Sequence, residues 1–123
     1  MQTQDIPNKT EEYLSFTPGQ TIFLEGARGD DMYIVVEGQV NIVTDSQIVE
    51  TVEPGGIFGE MALIDNRPRS AAAIARTNCL LTPIGREHFL TLIKSTPLFA
   101  IQVMRVMADR LRRATPTSRE LHD

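Results

Sequence analysis

Between Tyr13 and Gly85 the chain cannot run far in one direction. Turn-forming residues recur at Pro18-Gly19, Gly26, Gly29-Asp30, Gly38 and Pro54-Gly55-Gly56. Proline presets φ and glycine accepts the turn conformations that follow, so each of these points bends the backbone. The segments left between them are Tyr13–Phe16, Thr21–Leu24, Met32–Val36, Val40–Val43, Gln47–Val52, Ala71–Ala75 and Cys79–Ile84. Several of them, Met32–Val36 above all, are rich in β-branched and aromatic residues, and each is long enough for a strand but too short for a helix. Gly38 between two such runs predicts a hairpin. Many short strands at close spacing predict an antiparallel sandwich or barrel.

After Gly85 the period changes. Glu87, Phe89, Leu90, Leu92 and Ile93 predict a short helix, ended by Ser95-Thr96-Pro97. Pro at a first helical position loses no hydrogen bond, so Pro97 opens a second helix. That helix has an apolar stripe through Leu98, Ile101, Met104 or Arg105, Met107 or Ala108, and Leu111, and Pro116 ends it. The organisation expected is a polar lead-in over 1–12, one domain over 13–115 and a frayed tail over 116–123. A chain of 123 residues has no room for a second domain. The fold class expected is mainly β with C-terminal helices.

The formal net charge of −4 argues against nucleic acid as the main partner. Arg105, Arg110, Arg112, Arg113 and Arg119 are read as the solvated face of a helix. Cys79 is the sole cysteine, which rules out an internal disulfide, and Leu80 and Leu81 beside it suggest a small buried hydrophobe. No run approaches membrane-spanning length and no signal-like segment opens the chain, so a cytoplasmic location is the default expectation.

Residues 58–71, FGEMALIDNRPRSA, carry the chemistry. Gly59 precedes an apolar stretch long enough for one helical turn, and a glycine there lets backbone N–H groups approach an anion. Glu60 places a carboxylate beside that anion site, an odd choice unless it accepts from a neutral donor such as a sugar hydroxyl. Arg69 offers a planar fork that matches phosphate oxygens, and Ser70 adds a hydroxyl. Ala71, Ala72 and Ala73 are small enough to let a flat group lie against the strand. The set describes a receptor for a phosphate joined to a sugar. Each part also has a structural use: Glu60 and Arg69 can pair across a loop, Gly59 can serve a turn, and Ser70 can cap a strand end.

The stretch FGEMALIDNRPRSAAA resembles the phosphate-binding cassette of the cyclic-nucleotide-binding domain family. A second stretch, Pro18-Gly19-Gln20 through Glu25-Gly26, Gly29-Asp30, Tyr33-Ile34-Val35 and Glu37-Gly38, resembles that family's leading turn-and-strand signature. The resemblance runs from about Tyr13 to Leu111. It implies an antiparallel jelly-roll β-barrel with a short cassette helix and two C-terminal α-helices. It also implies that Glu60 accepts from the ribose 2′-OH and Arg69 pairs with the exocyclic phosphate oxygens. Backbone N–H groups of Gly59 and around Met61, Ala62, Ser70 and Ala71 would complete the cradle. Ile42, Val49 and Thr115 are the candidate base contacts. Members preferring cGMP often carry Thr where Ser70 stands, so cAMP is the ligand expected over cGMP.

The resemblance implies a sensing module with no cofactor beyond its ligand, signalling to an unidentified effector protein through its C-terminal helices. A cAMP-receptor-type transcription regulator fragment lacking its DNA-binding domain is the first alternative, since no recognition helix follows the barrel. A module that keeps the fold for protein contacts and binds no ligand is the second. An enzyme is not expected, because His88 and His122 are the only histidines and assemble no metal-ligand cluster or nucleophile–base pair. Val103, Val106, Met107 and Arg110 fit either a homodimer contact or packing back on the barrel.

Overall fold

The computed structural model describes residues 12–114. Thr115, most of the lead-in and the whole tail lie outside the described residues. The strands are β1 (Leu14–Phe16), β2 (Thr21–Phe23), β3 (Met32–Glu37), β4 (Val40–Thr44), β5 (Gln47–Val52), β6 (Ile57–Phe58), β7 (Ala72–Ala75) and β8 (Cys79–Ile84). A 3₁₀ turn covers Glu60–Leu63, and two helices follow, α1 (Arg86–Ser95) and α2 (Pro97–Ala114).

The strands form two four-stranded antiparallel sheets in the orders β1-β8-β3-β6 and β2-β7-β4-β5. Neither sheet closes on itself, so the fold is a jelly-roll-like sandwich. Both sheets contribute to one core: Val35, Phe58, Cys79 and Leu81 come from the first, and Val40, Val52, Ala73 and Ala75 from the second. Such burial is the main favourable contribution to a domain of this size.

The expected hairpin about Gly38 is absent. β3 and β4 belong to different sheets, and Gly38 is the corner at which the chain crosses between them. Among the described residues, the only consecutive strands that stay in one sheet are β4 and β5, joined through Asp45 and Ser46, both at positive φ. The matching twist of a tight hairpin needs φ > 0 at both central residues, and here non-glycine residues supply it. Crossing the chain at nearly every turn is what separates a jelly roll from a meander, and turn residues alone do not report it.

Two register breaks shape the inner face. Thr21 pairs with Ile74 and Phe23 with Ala73, so Ile22 is an extra residue and both Ile22 and Phe23 pack on the core. On β5 the partners are Ile42 with Glu50 and Val43 with Ile48, which makes Val49 the extra residue. A bulge of this kind re-aims the side chains beside it.

Contacts divide the chain into two compact units, one ending at Phe89 and one beginning at Leu90. In the second unit, most of the apolar stripe read on α2 is exposed: Leu98, Ile101, Met104 and Leu111 are 41–75% exposed, while Met107 and Ala108 are half-buried. The less exposed stripe is Phe99, Val103, Val106, Met107 and Arg110. Both stripes have helical spacing, and periodicity alone cannot choose between them. Arg105, Arg112 and Arg113 are solvated as expected, with Arg112 paired to Asp109 at 2.9 Å. No single helix among the described residues is long and apolar enough to cross a membrane.

Candidate functional site

The cassette is clamped at both ends. At its start, Phe58 on β6 pairs with Tyr33 on β3, and the two rings stack with centroids 5.2 Å apart. Gly59 then turns the chain in the left-handed region at φ 78°, and the 3₁₀ turn begins at Glu60. At the return, the Arg69 N–H donates to the Ala27 carbonyl and the Gly26 N–H to the Arg69 carbonyl, each at 2.8 Å. Between these points, Arg28 donates to the Asn66 carbonyl and Arg86 to the Leu63 carbonyl, both at 2.8 Å. A loop of polar residues is thereby held in one shape.

Arg69 occupies the centre of this arrangement and is only 9% exposed. Nη1 donates to the Gly59 carbonyl at 3.2 Å, and Nη2 to the Asp31 carbonyl at 2.8 Å. The guanidinium carbon lies 4.0 Å from the centroid of the Phe23 ring. A desolvated cation over an aromatic face gains about 0.5–2 kcal/mol. Gly29 presses against the group from another direction: a Cβ there would lie 2.7 Å from Nη2 and 3.1 Å from Nε. The guanidinium is thus fixed by two carbonyls, one ring and one bare backbone. Its Nε is buried and meets no hydrogen-bond partner among the described residues. A buried N–H left unpaired costs about 1–3 kcal/mol, so this atom is set to donate to something further.

Glu60 is 5% exposed and directly follows the residue whose carbonyl Arg69 grips. A buried carboxylate and a buried guanidinium therefore bracket one turn of backbone. Phe23, Tyr33 and Phe58 make an aromatic pad beneath, with centroids 5.2–6.1 Å apart. Burial chiefly, and the Asp31 carboxylate secondly, hold the Tyr33 phenol above its ordinary pKa, while Arg69 pulls it down. Tyr33 thus stays neutral at physiological pH and offers Arg69 no competing anion.

The structure places Arg69 against the Gly59 carbonyl, with Glu60 the next residue along the chain. Ala62 is buried, and its N–H donates to the Gly59 carbonyl at 3.2 Å. Met61 is 47% exposed, Ser70 is exposed and Ala71 half-buried. Of the base candidates, Ile42 packs on the core beside Ala73 of β7, whereas Val49 is 55% exposed in the bulge. Phe23, Gly29 and Asp31 were missed as neighbours of Arg69. Only Gly29 carried a signal, as part of the leading signature. Among the described residues no group of three His, Cys, Asp or Glu side chains is placed to hold a metal ion.

A buried arginine with one donor unused, on a jelly-roll-like sandwich, is an arrangement suited to an anion-binding domain. The family model for the cyclic nucleotide-binding domain matches residues 13–96, and the chain belongs to that family. The cAMP-dependent protein kinase regulatory subunit of Eremothecium gossypii is 41% identical over 90 residues, which cover 73% of this chain and 19% of that protein. The crystal structure of the Thermus thermophilus catabolite activator protein superposes with a TM-score of 0.77 at 32% identity, covering 90% of this chain and 55% of that one. A structure from a cyclic-GMP-dependent signalling pathway that regulates bacterial phytopathogenesis superposes with a TM-score of 0.72 at 28% identity, covering 86% and 88%. The chain spans about half the length or less of the curated relatives it matches.

Proposed function

We propose that this chain is a receptor for a nucleoside 3′,5′-cyclic monophosphate, cAMP in preference to cGMP, and that it binds the ligand without transforming it. The observation that carries this reading is Arg69: nine-tenths buried, fixed on several sides, and left with one buried donor unused. In this reading Arg69 donates to the exocyclic phosphate oxygens and Glu60 accepts from the ribose 2′-OH. The backbone N–H groups of Gly59, Met61, Ala62, Ser70 and Ala71 complete the cradle, with Ala62 turning from the Gly59 carbonyl toward the phosphate. A buried carboxylate beside a phosphate is tolerable because the sugar hydroxyl stands between them and is a neutral donor. Ser70, rather than Thr, and the relatives named for cAMP support the preference for cAMP.

The output in this reading is a ligand-dependent change in the surface of α1 and α2, read by a partner protein. Such coupling needs the ligand to bind one arrangement of the helices more tightly than another. A second reading is favoured by the relatives' greater length: the same receptor would then control a further domain in a regulator of the cAMP-receptor type.

Thermal unfolding with and without nucleotide tests the receptor reading. At a ligand concentration 100 times its dissociation constant, stability rises by about 2.7 kcal/mol. For a domain of roughly 100 residues that is a rise in midpoint on the order of 10–20 °C. No shift with either cAMP or cGMP would overturn it and leave a ligand-free interaction module.

Gly29→Ala separates ligand binding from stability. The new Cβ meets the end of a flexible side chain rather than backbone, so the fold adjusts by moving Arg69. The expected result is a smaller fall in midpoint than Arg69→Ala causes, because the side chain shifts and is not removed, with affinity for cAMP reduced about fivefold or more. Unchanged affinity would mean that the position of the guanidinium does not matter to the ligand.

A further inference from the structure

We propose that Phe23 is a positioning residue of the binding site, whose ring face stands in for a counter-ion to Arg69 and keeps its charge available to an anionic ligand. The proposal rests on the receptor reading above and names what holds the central side chain of that reading in place.

A guanidinium that is only 9% exposed has lost most of its hydration. Buried charges of this kind are ordinarily paired with an opposite charge. Among the described residues, Arg69 instead meets the carbonyl oxygens of Gly59 and Asp31 and the ring of Phe23. A carboxylate in place of the ring would satisfy the charge, but it would also take N–H groups that a phosphate needs, and the ligand would have to displace it. An aromatic ring attracts a cation through the negative potential over its face. The atom over the Phe23 ring is the guanidinium carbon, 4.0 Å from the centroid, and that atom bears no hydrogen. Contact through the carbon leaves the N–H edge to the two carbonyls and, at Nε, to the ligand.

The fold aims this ring. β2 carries an extra residue at Ile22, and the break in register sets Phe23 opposite Ala73 of β7. Ala73 is fully buried and presents only a methyl group, which leaves the space across from β7 to the ring. Phe58 and Tyr33 brace Phe23 at centroid distances of 5.9 and 6.1 Å, with planes tilted by 41° and 35°. Tilted aromatic pairs at such distances are favourable and fix the plane of the ring. Phe58 also precedes Gly59, whose carbonyl accepts from Nη1. The support of the ring and the support of the guanidinium are thus one structure. Without the ring, a buried cation held by two carbonyls alone gains by turning toward water, and each binding event must bring it back. A site that loses preorganisation in this way loses affinity.

A double-mutant cycle tests this, read by calorimetric titration with whichever of cAMP and cGMP binds wild type more tightly. Phe23→Leu keeps an apolar side chain and removes the ring face. The expected result is binding about fivefold weaker when Arg69 is present. In the Arg69→Ala background the same substitution should change affinity by no more than about twofold. A residue that merely shapes the sandwich would weaken binding by the same factor in both backgrounds. A second measurement needs no substitution: in the ligand-free wild type, the proton on Arg69 Nε should resonate upfield of those of the exposed arginines, because it lies over the ring. Equal factors in the two backgrounds, unchanged affinity in Phe23→Leu, or an Arg69 Nε proton at the ordinary arginine position would overturn the role of Phe23 and leave the receptor reading intact. Failure of the wild type to bind either nucleotide would overturn both.

Discussion

Arg69→Ala is expected to weaken cAMP binding by at least about tenfold, or 1.4 kcal/mol, in a calorimetric titration. A charge-assisted hydrogen bond contributes about 1.5–3 kcal/mol, and its removal leaves the phosphate poorly paired. The same substitution should lower stability without ligand, because the carbonyls of Gly59 and Asp31 each lose a donor and the Phe23 ring loses its cover. Arg69→Lys distinguishes charge from shape. An ammonium keeps the charge but cannot reach two carbonyls in a planar fork while presenting a further donor to the ligand. Its affinity should therefore fall nearer to that of Arg69→Ala than to that of wild type. Wild-type affinity in Arg69→Ala would remove Arg69 from the site.

Gly38→Ala should produce the largest loss of stability. Gly38 has a φ of 87°, where a side chain is strained. An added Cβ would collide with the backbone carbonyl of Asn78 and lie 2.9 Å from Thr77 Oγ1. Neither obstacle yields easily. The Gln39 N–H donates to Thr77 Oγ1 at 3.0 Å and the Cys79 thiol to the Gln39 carbonyl at 3.0 Å, so both sides of the corner are tied together. Left-handed strain of about 1–2 kcal/mol and overpacking of about 1–3 kcal/mol add to roughly 3 kcal/mol or more. Against a total stability of about 5–15 kcal/mol, the unfolding midpoint should fall by more than about 10 °C. A midpoint within about 2 °C of wild type would contradict the assignment of Gly38 as the corner between the sheets.

Much of the candidate site was legible because its parts are contiguous. Gly59, Glu60, Arg69 and Ser70 lie within one short stretch, and their chemistry needs no knowledge of the fold to be recognised. The strand segments and both helices were legible from turn residues and from the change of period at Gly85. What the sequence concealed depends on pairing between distant residues. Gly38 reads as a hairpin turn because local sequence reports a reversal and not which sheet receives the chain. Val49 is a base candidate by the family resemblance, and local sequence does not report that it is the extra residue of a bulge. One residue of slip moves a strand to the other face, and here the slip begins beyond Glu50, with Val49 left more than half exposed. Phe23 under Arg69 joins two segments that no local pattern connects. Along α2 two stripes compete, and most of the one read from spacing as apolar is exposed.

The central claim is that the cassette from Gly59 to Ala71 receives a cyclic phosphate together with its ribose. Calorimetric titration of the protein with cAMP, cGMP and 5′-AMP tests it most directly. Saturable one-to-one binding of a cyclic nucleotide, with 5′-AMP at least about a hundredfold weaker (about 2.7 kcal/mol), is the result predicted here. No heat from either cyclic nucleotide, or equal affinity for cAMP and 5′-AMP, would contradict it.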